Sequence, residues 1–374
     1  MEAGNKIEQL LMKGAQEGVY PGAVLVAAQG GEVVFFKEAG HRSLVPHTAP
    51  MQKDTIFDLA SLTKPLATTL AIMKLVDQEE IRLDQPVIDL LPHGLPKEKE
   101  GVTPRLLLCH SAGFPDWKPL YLELERFGPE KRKDLLRKRL LDLPLDYRPG
   151  EEVLYSDLGF MMLEWIVEQK TGMAMDRFLD RHFYSPLSLQ KTFFSGDDTL
   201  IRFGRDQFAA TEDCPWRKEI VVGRVHDENA HVLGGYSGHA GLFGVAQEVY
   251  ALIHLLREHY RGERGDYLSL ETVRTFFTRQ DIVKGSTWAL GWDRPSPQGS
   301  STGRYFSPNS VGHLGFTGAS IWMDLDRDVI VVFLTNRIHP TRNNEKIKKF
   351  RPLLHDVMME ELAIKEVPKV RENA

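Results

Sequence analysis

An α+β fold is predicted, with one antiparallel sheet assembled from both ends of the chain and a helical middle forming its own lobe. Three observations carry this. Apolar residues gather in β-rich runs near residues 23–37 and again near 312–335, with turn signals between them. Between those regions they recur at three- and four-residue steps, the period of a helix buried on one side. At 374 residues the chain is also too long for one small core. The expected division is an α/β lobe from residues 1–60 and 285–374 and a mainly helical lobe from 61–284.

Taken in order, Lys6–Glu17 carries Ile7, Leu10 and Leu11 at amphipathic spacing, and Pro21-Gly22 ends it. Ala23–Ala28 and Val33–Lys37 are β-rich and separated by Gln29-Gly30-Gly31-Glu32, a hairpin signal. From Ser61 the period becomes helical (Leu62, Leu66, Leu70, Met73, Val76), with Pro65 in the first turn, where a missing N–H costs little. Further helices are predicted at Thr103–His110, Lys131–Leu141, Leu158–Thr171 and Glu248–His259. Gly312–Asp324 and Val329–Thr335 read as strands around the turn Asp326-Arg327-Asp328, and Asn343–Ala363 closes as a helix.

A formal charge of −5 gives no basic footprint for nucleic acid. The basic run Lys131-Arg132-Lys133 reads as a solvated helix face. No apolar stretch reaches eighteen residues, so no membrane partner is expected. The first residues show no basic start followed by an apolar stretch. A cytoplasmic location is therefore expected, or a periplasmic one if a leader was trimmed. Cys109 and Cys214 lack metal-ligand spacing and read as reduced, structural thiols.

The chemistry centres on Ser61-Leu62-Thr63-Lys64. Serine is a poor nucleophile at neutral pH and needs a base, and residues three apart on a helix share a face. The pattern alone is weak, since roughly one Ser-x-x-Lys is expected by chance in a chain of this composition. A second copy, Ser188-Leu189-Gln190-Lys191, opens no amphipathic helix and reads as the chance one. Ser61 is distinguished by Tyr155-Ser156-Asp157 before a helix and by His313-Leu314-Gly315-Phe316-Thr317-Gly318 opening a strand.

This order resembles the penicillin-recognising serine hydrolases: class C β-lactamases, DD-peptidases and β-lactamase-like esterases. Pro21-Gly22-Ala23, Asp58–Lys64, Leu106–Gly113, Gly234–Gly244 and Thr335-Asn336 extend the resemblance over nearly the whole chain. It implies a β-lactamase/transpeptidase-like fold, with Ser61 as nucleophile and Lys64 and Tyr155 sharing its proton. It further implies an oxyanion hole from the Ser61 and Phe316 N–H groups, and substrate contacts at Asp157, His313, Gly315 and Thr317. No metal or organic cofactor is called for. The implied partner is a small-molecule or short-peptide substrate, and the oligomeric state stays open.

Departures from the family pattern matter. Asp157 stands where the family motif carries an amide; beside Lys64 it would raise the lysine pKa and repel a substrate carboxylate. His313 replaces a lysine, so carboxylate recognition is expected to depend on pH near 6.5. Leu314 removes a hydroxyl. An esterase or peptidase is therefore expected ahead of an efficient β-lactamase, with a catalytically silent binding protein as the alternative.

Other features read more plainly. Gly299–Gly303 matches Gly-x-Ser-x-Gly but lacks the strand and helix that motif needs. His226-Asp227-Glu228-Asn229, with His231 and His239 nearby, fits no zinc pattern and reads as a turn with some cleft contact. His110 reads as a helix C-terminal cap, and Trp117, Tyr121, Phe127, Trp216 and Trp292 as core or pocket wall.

Overall fold

Two consecutive glycines set the first corner of the molecule. In a computed structural model, which describes residues 5–91 and 96–363, β1 (Gly22–Gln29) and β2 (Glu32–Ser43) pair antiparallel. Gln29 faces Glu32 across Gly30-Gly31, whose φ angles of 61° and 86° only glycine adopts freely. A short β3 (Ala49–Pro50) borders β2. The C-terminal end supplies β4 (Ser310–Leu314), β5 (Ser320–Asp324) and β6 (Val329–Thr335). The sheet order is β3-β2-β1-β6-β5-β4, and β1 meets β6 from Ala23 opposite Thr335 to Gln29 opposite Val329. The two ends of the chain therefore share one central seam.

The run Gly312–Asp324, expected as one strand, is two strands joined by the turn Gly315–Ala319. Gly315 N–H donates to Ala319 O at 2.7 Å, and Gly318 takes φ 92° where a Cβ would meet Thr335 Oγ1 at 2.2 Å. Apolar periodicity cannot register such a turn, because Phe316 and Thr317 are themselves good strand residues. The outcome matters: this turn ends the edge strand beside Ser61.

Both sheet faces are covered. Helices α1 (Asn5–Gln16) and α5 (Ile347–Glu361) pack Ile7, Leu11, Phe350 and Leu354 against Leu25, Val331 and Phe333. The opposite face, with Val24, Val26, Ile321 and Val332, joins the core of the helical middle without a break. That core is built on α2 (Leu70–Asp77), α3 (Asp157–Thr171) and α4 (Ala246–Arg261). Strand β1 alternates between the two cores, as a two-residue period requires of a central strand. Helix α3 is buried at every position from Leu158 to Val167, begins at a Ser156 cap and ends at Gly172 in the left-handed region. Both cysteines are free and buried, and no helix among the described residues is long and apolar enough to cross a membrane.

Asn336 fastens the seam. Its Oδ1 accepts from Gly22 N–H at 2.9 Å, and its Nδ2 donates to Arg42 O at 3.1 Å, all buried at the junction of β1, β2 and β6. Asn336→Ala leaves these buried backbone groups unpaired and is expected to cost about 1–3 kcal/mol. Urea denaturation should give a lower midpoint at unchanged slope; an unmoved midpoint would show that the junction holds without it.

Candidate active site

Ser61 follows a strained corner. Phe57-Asp58 forms a short strand, and Ala60 then adopts φ 48°, which an alanine pays for with roughly 1–2 kcal/mol. The buried Asp58 carboxylate holds this corner, accepting from Ala60 N–H at 2.8 Å and from His226 N–H at 2.7 Å. From there Ala60–Leu62 makes one tight 3₁₀ turn, and Lys64–Thr69 widens to a π-type turn before α2 begins. A regular helix was expected here; Pro65, having no N–H, already interrupts the ordinary ladder.

Lys64 is fully buried. Its Nζ lies 3.1 Å from Ser61 Oγ, 2.6 Å from Asp157 Oδ1 and 3.3 Å from His239 O. It also sits 4.7 Å from the centre of the Tyr155 ring. Burial alone pulls the lysine pKa down. The Asp157 carboxylate outweighs it, with Tyr155 adding to the effect, and the net shift is upward. Lys64 therefore rests as an ammonium.

Tyr155 completes the group. Its phenol interacts with both Lys64 and Ser61, and these contacts favour the phenolate, as does the lysine charge. Burial and the Asp157 charge act the other way, burial most strongly, so its pKa is raised overall. Three rings surround it, with centroids at 4.5 Å for His110, 5.9 Å for Trp288 and 6.0 Å for His313. His110 caps its own helix as expected: left-handed at φ 57°, it donates its N–H to Leu107 O at 3.2 Å, and Ser111 N–H donates to Leu106 O at 2.9 Å. Its side chain does more, accepting from Ser156 N–H through Nδ1 at 3.0 Å and bracing Tyr155. That contact also ties it to the cap of α3, which presents Asp157.

His313 departs from expectation as well. It is buried, its Nδ1–H donates to Leu314 O at 2.9 Å, and its Nε2 has no partner among the described residues. Burial, then the Lys64 charge, depress its pKa to about 3, so it is neutral throughout the physiological range. A titration near 6.5 does not occur here. Thr317 must be corrected too. It is buried and its hydroxyl donates to Asp58 O at 3.0 Å, so it secures the Ser61 corner and has no free side chain for substrate.

Gly315 and Phe316 lie against that corner. A Cβ on Gly315 would meet Leu59 O at 2.8 Å, so only glycine lets the turn approach so closely. Neither the Ser61 nor the Phe316 N–H has an acceptor among the described residues. The exposed Phe316 ring rests between His226 (5.7 Å, 18°) and the Arg337 guanidinium (4.9 Å). Two free donors next to a hydroxyl fit the demands of an oxyanion site.

Several contributors were not legible beforehand. His239 gives its carbonyl to Lys64, while its Nε2 lies 2.9 Å from Asp227 Oδ1. Asp227 also caps Glu228–Val232, accepting from Ala230 N–H at 2.7 Å, which is the turn role expected of this segment. The loop Ser237–His239 is held by Glu164 of α3, which accepts from Ser237 Oγ (2.7 Å) and Gly238 N–H (2.9 Å). Lys133 reaches Glu164 and Glu168 at 2.9 and 2.5 Å, so this part of the basic run turns inward and is no solvated face. Asp157, Asp227 and His239 approach one another within 4.8 Å, but the Lys64 ammonium already sits on Asp157 and the His239 Nε2 on Asp227. The second Ser-x-x-Lys is elsewhere: Ser188 has φ 58° and Lys191 pairs with Asp54 at 3.0 Å.

The chain is 31% identical over 366 residues to the N-acetylmuramyl-L-alanine amidase of Bacillus subtilis strain 168, covering 89% of this chain and 81% of the relative. It is 30% identical over 370 residues to a putative D-alanyl-D-alanine carboxypeptidase of Escherichia coli K12, covering 91% and 83%. In fold it is similar to the octameric penicillin-binding protein homologue from Pyrococcus abyssi, with a TM-score of 0.71 at 21% identity, covering 96% of this chain and 79% of that one. The Beta-lactamase family model matches residues 7–354. With its antiparallel sheet and helical lobe, the chain belongs to the β-lactamase family, whose hydrolase members it resembles from end to end.

Proposed function

We propose that this protein is a serine acyl hydrolase that cleaves an ester or amide through a covalent intermediate on Ser61. The observation that carries the reading is the 3.1 Å contact of Ser61 Oγ with a buried ammonium that also engages Tyr155. A lysine held as an ammonium by Asp157 cannot accept the serine proton. Tyr155 is therefore the base: burial raises its pKa, the Lys64 charge offsets part of that rise, and it reacts through a minor phenolate fraction. Ser61 Oγ bonds to the substrate carbonyl carbon while its proton passes to Tyr155. The oxyanion takes hydrogen bonds from the Ser61 and Phe316 N–H groups. Collapse breaks the bond to the leaving group, which departs with the proton from Tyr155. Water then repeats the sequence, freeing Ser61 and releasing the acid.

Electrostatics narrows the substrate. A carboxylate adjoining the scissile bond would meet the Asp157 charge, and neutral His313 supplies no compensating cation. The reading is therefore an ester or amide that is uncharged next to the cleaved bond, with ordinary penicillins bound weakly. The relative named for a muramyl amide supports an amide among these; a D-alanyl-D-alanine carboxypeptidase releases a residue whose carboxylate adjoins the cleaved bond, and Asp157 sets this chain's reading apart from that one. The Asp157–Lys64 pair also favours one competing reading, a silent binding protein, since it removes lysine as a base.

A fluorophosphonate probe separates the two. Stoichiometric labelling mapped to Ser61, with loss of p-nitrophenyl ester hydrolysis by at least about 10³-fold in Ser61→Ala, is expected of the enzyme; an inert Ser61 favours the silent protein. The pH profile tests the base. Asp157 raises the pKa of both Lys64 and Tyr155, so Asp157→Asn lowers both and makes a base available at lower pH. The rising, acid-side limb of kcat/KM, which reports the base losing its proton, should move to lower pH, and a limb that stays or moves up would exclude this assignment. Gly238 tests the lysine clamp, because a Cβ there would meet Phe160 O at 2.1 Å. Displacing the neighbouring His239 carbonyl should lower kcat by roughly 10–100-fold in Gly238→Ala, and full activity would show that this contact is dispensable.

A further inference from the structure

A cavity of about 550 Å³ lies on the far side of the 226–232 segment from Lys64, lined by Arg132, Arg217, Trp216 and His231, with Glu125 and Glu219 at its exposed rim. Among the described residues its two guanidiniums make no ion pair with a carboxylate. Arg132 donates there to Phe127 O, Val232 O and Glu125 O, and Arg217 to Val225 O, His226 O and Asp227 O. The rim glutamates do not neutralise them, since Glu219 pairs with Arg224 at 3.4 Å and Glu125 makes no ion pair among the described residues. His231 senses the result. Burial first, then the charges of Arg217, Arg224 and Arg132, depress its pKa to about 4. The guanidiniums stand on the inner wall and the lining carboxylates at the rim, while Glu228, Asp58 and Asp227 act on Arg217 from outside the lining.

An aromatic path connects this cavity with the reaction centre. Asp116 O accepts from Asp157 N–H at 2.9 Å, so the backbone leading into Trp117 adjoins the residue that grips Lys64. Trp117 lies 6.5 Å from Tyr121, and Tyr121 4.8 Å from Trp216 at 67°. Asn229 fixes the path by accepting from Tyr121 N–H and donating to Lys118 O. Trp117 is 38% exposed, more than a core residue would be. Such rings offer flat apolar contact for an extended ligand at small entropic cost.

Resting on the serine-hydrolase reading above, we infer that the cavity binds an anionic group, a carboxylate or phosphate monoester, at the distal end of a substrate that runs over Trp117 and Tyr121 from Ser61. The charge excluded beside the scissile bond is thus accommodated one aromatic path away. Arginine suits this role because its fork matches either oxyanion.

The test compares matched esters of graded length ending in a carboxylate, a phosphate monoester or a neutral carboxamide. One set carries the end group on the acyl part and one on the alcohol. At one length in one set, an anionic end should raise kcat/KM at least about tenfold over the carboxamide, mainly through KM. Arg132→Gln, with circular dichroism matching wild type, should abolish that preference. Equal values for charged and neutral ends at every length in both sets overturn the inference, as does a preference that survives Arg132→Gln. The wild-type comparison stands even if that variant fails to fold. Failure of the hydrolase reading looks different: no ester of either set is turned over. Calorimetric titration of Ser61→Ala with the same compounds reads the cavity in that case, and equal affinity for charged and neutral ends would again overturn it.

Discussion

The protein buries an ammonium completely, and much of its construction answers that cost. An unpaired charge removed from water costs several kcal/mol even after relaxation, and only close partners make it tolerable. Lys64 has a carboxylate at 2.6 Å, a hydroxyl at 3.1 Å, a carbonyl at 3.3 Å and the face of a phenol ring at 4.7 Å. The four partners come from three parts of the chain, with Tyr155 and Asp157 two residues apart. Asp157 opens α3, Ser61 occupies the 3₁₀ turn, and His239 lies on a loop that Glu164 holds. The sheet, the central helix and that loop must all be in place before the lysine can be buried.

The same arrangement decides the chemistry. Asp157 stabilises the buried charge, and in doing so it takes away the proton acceptor that a free amine would have been. What remains is a phenol beside a fixed cation, encircled by two neutral histidines and a tryptophan. Burial sets the direction in all three, and Lys64 acts on each: it offsets part of the rise at Tyr155 and adds to the depression that keeps His110 and His313 uncharged. A cation that cannot move holds its neighbours in defined protonation states, which is what a preorganised site requires.

Support for Ser61 reaches well beyond its neighbours. Asp58 receives hydrogen bonds from Ala60, His226 and Thr317, so the corner before Ser61 is bound to the 226–232 segment and to the turn that carries Phe316. His226 continues to Glu212 at 3.0 Å, and Glu212 to Arg342 at 2.7 Å, which links the corner to the chain beyond β6. Strain at Ala60 persists because these contacts over-determine it.

From the order of residues alone, the α+β class, the hairpin at Gly30-Gly31, the helices at both ends and the candidates Ser61, Lys64, Tyr155 and Asp157 were legible. Each rests on local pattern or on a motif whose members lie within a few positions. Four things were not: the turn dividing Gly312–Asp324, the inward role of Thr317, the neutral state of His313 and the contribution of His239. They follow from burial and from which backbone groups meet across hundreds of residues. A side chain's charge and direction depend on what surrounds it in space, and neighbours in sequence supply little of that environment.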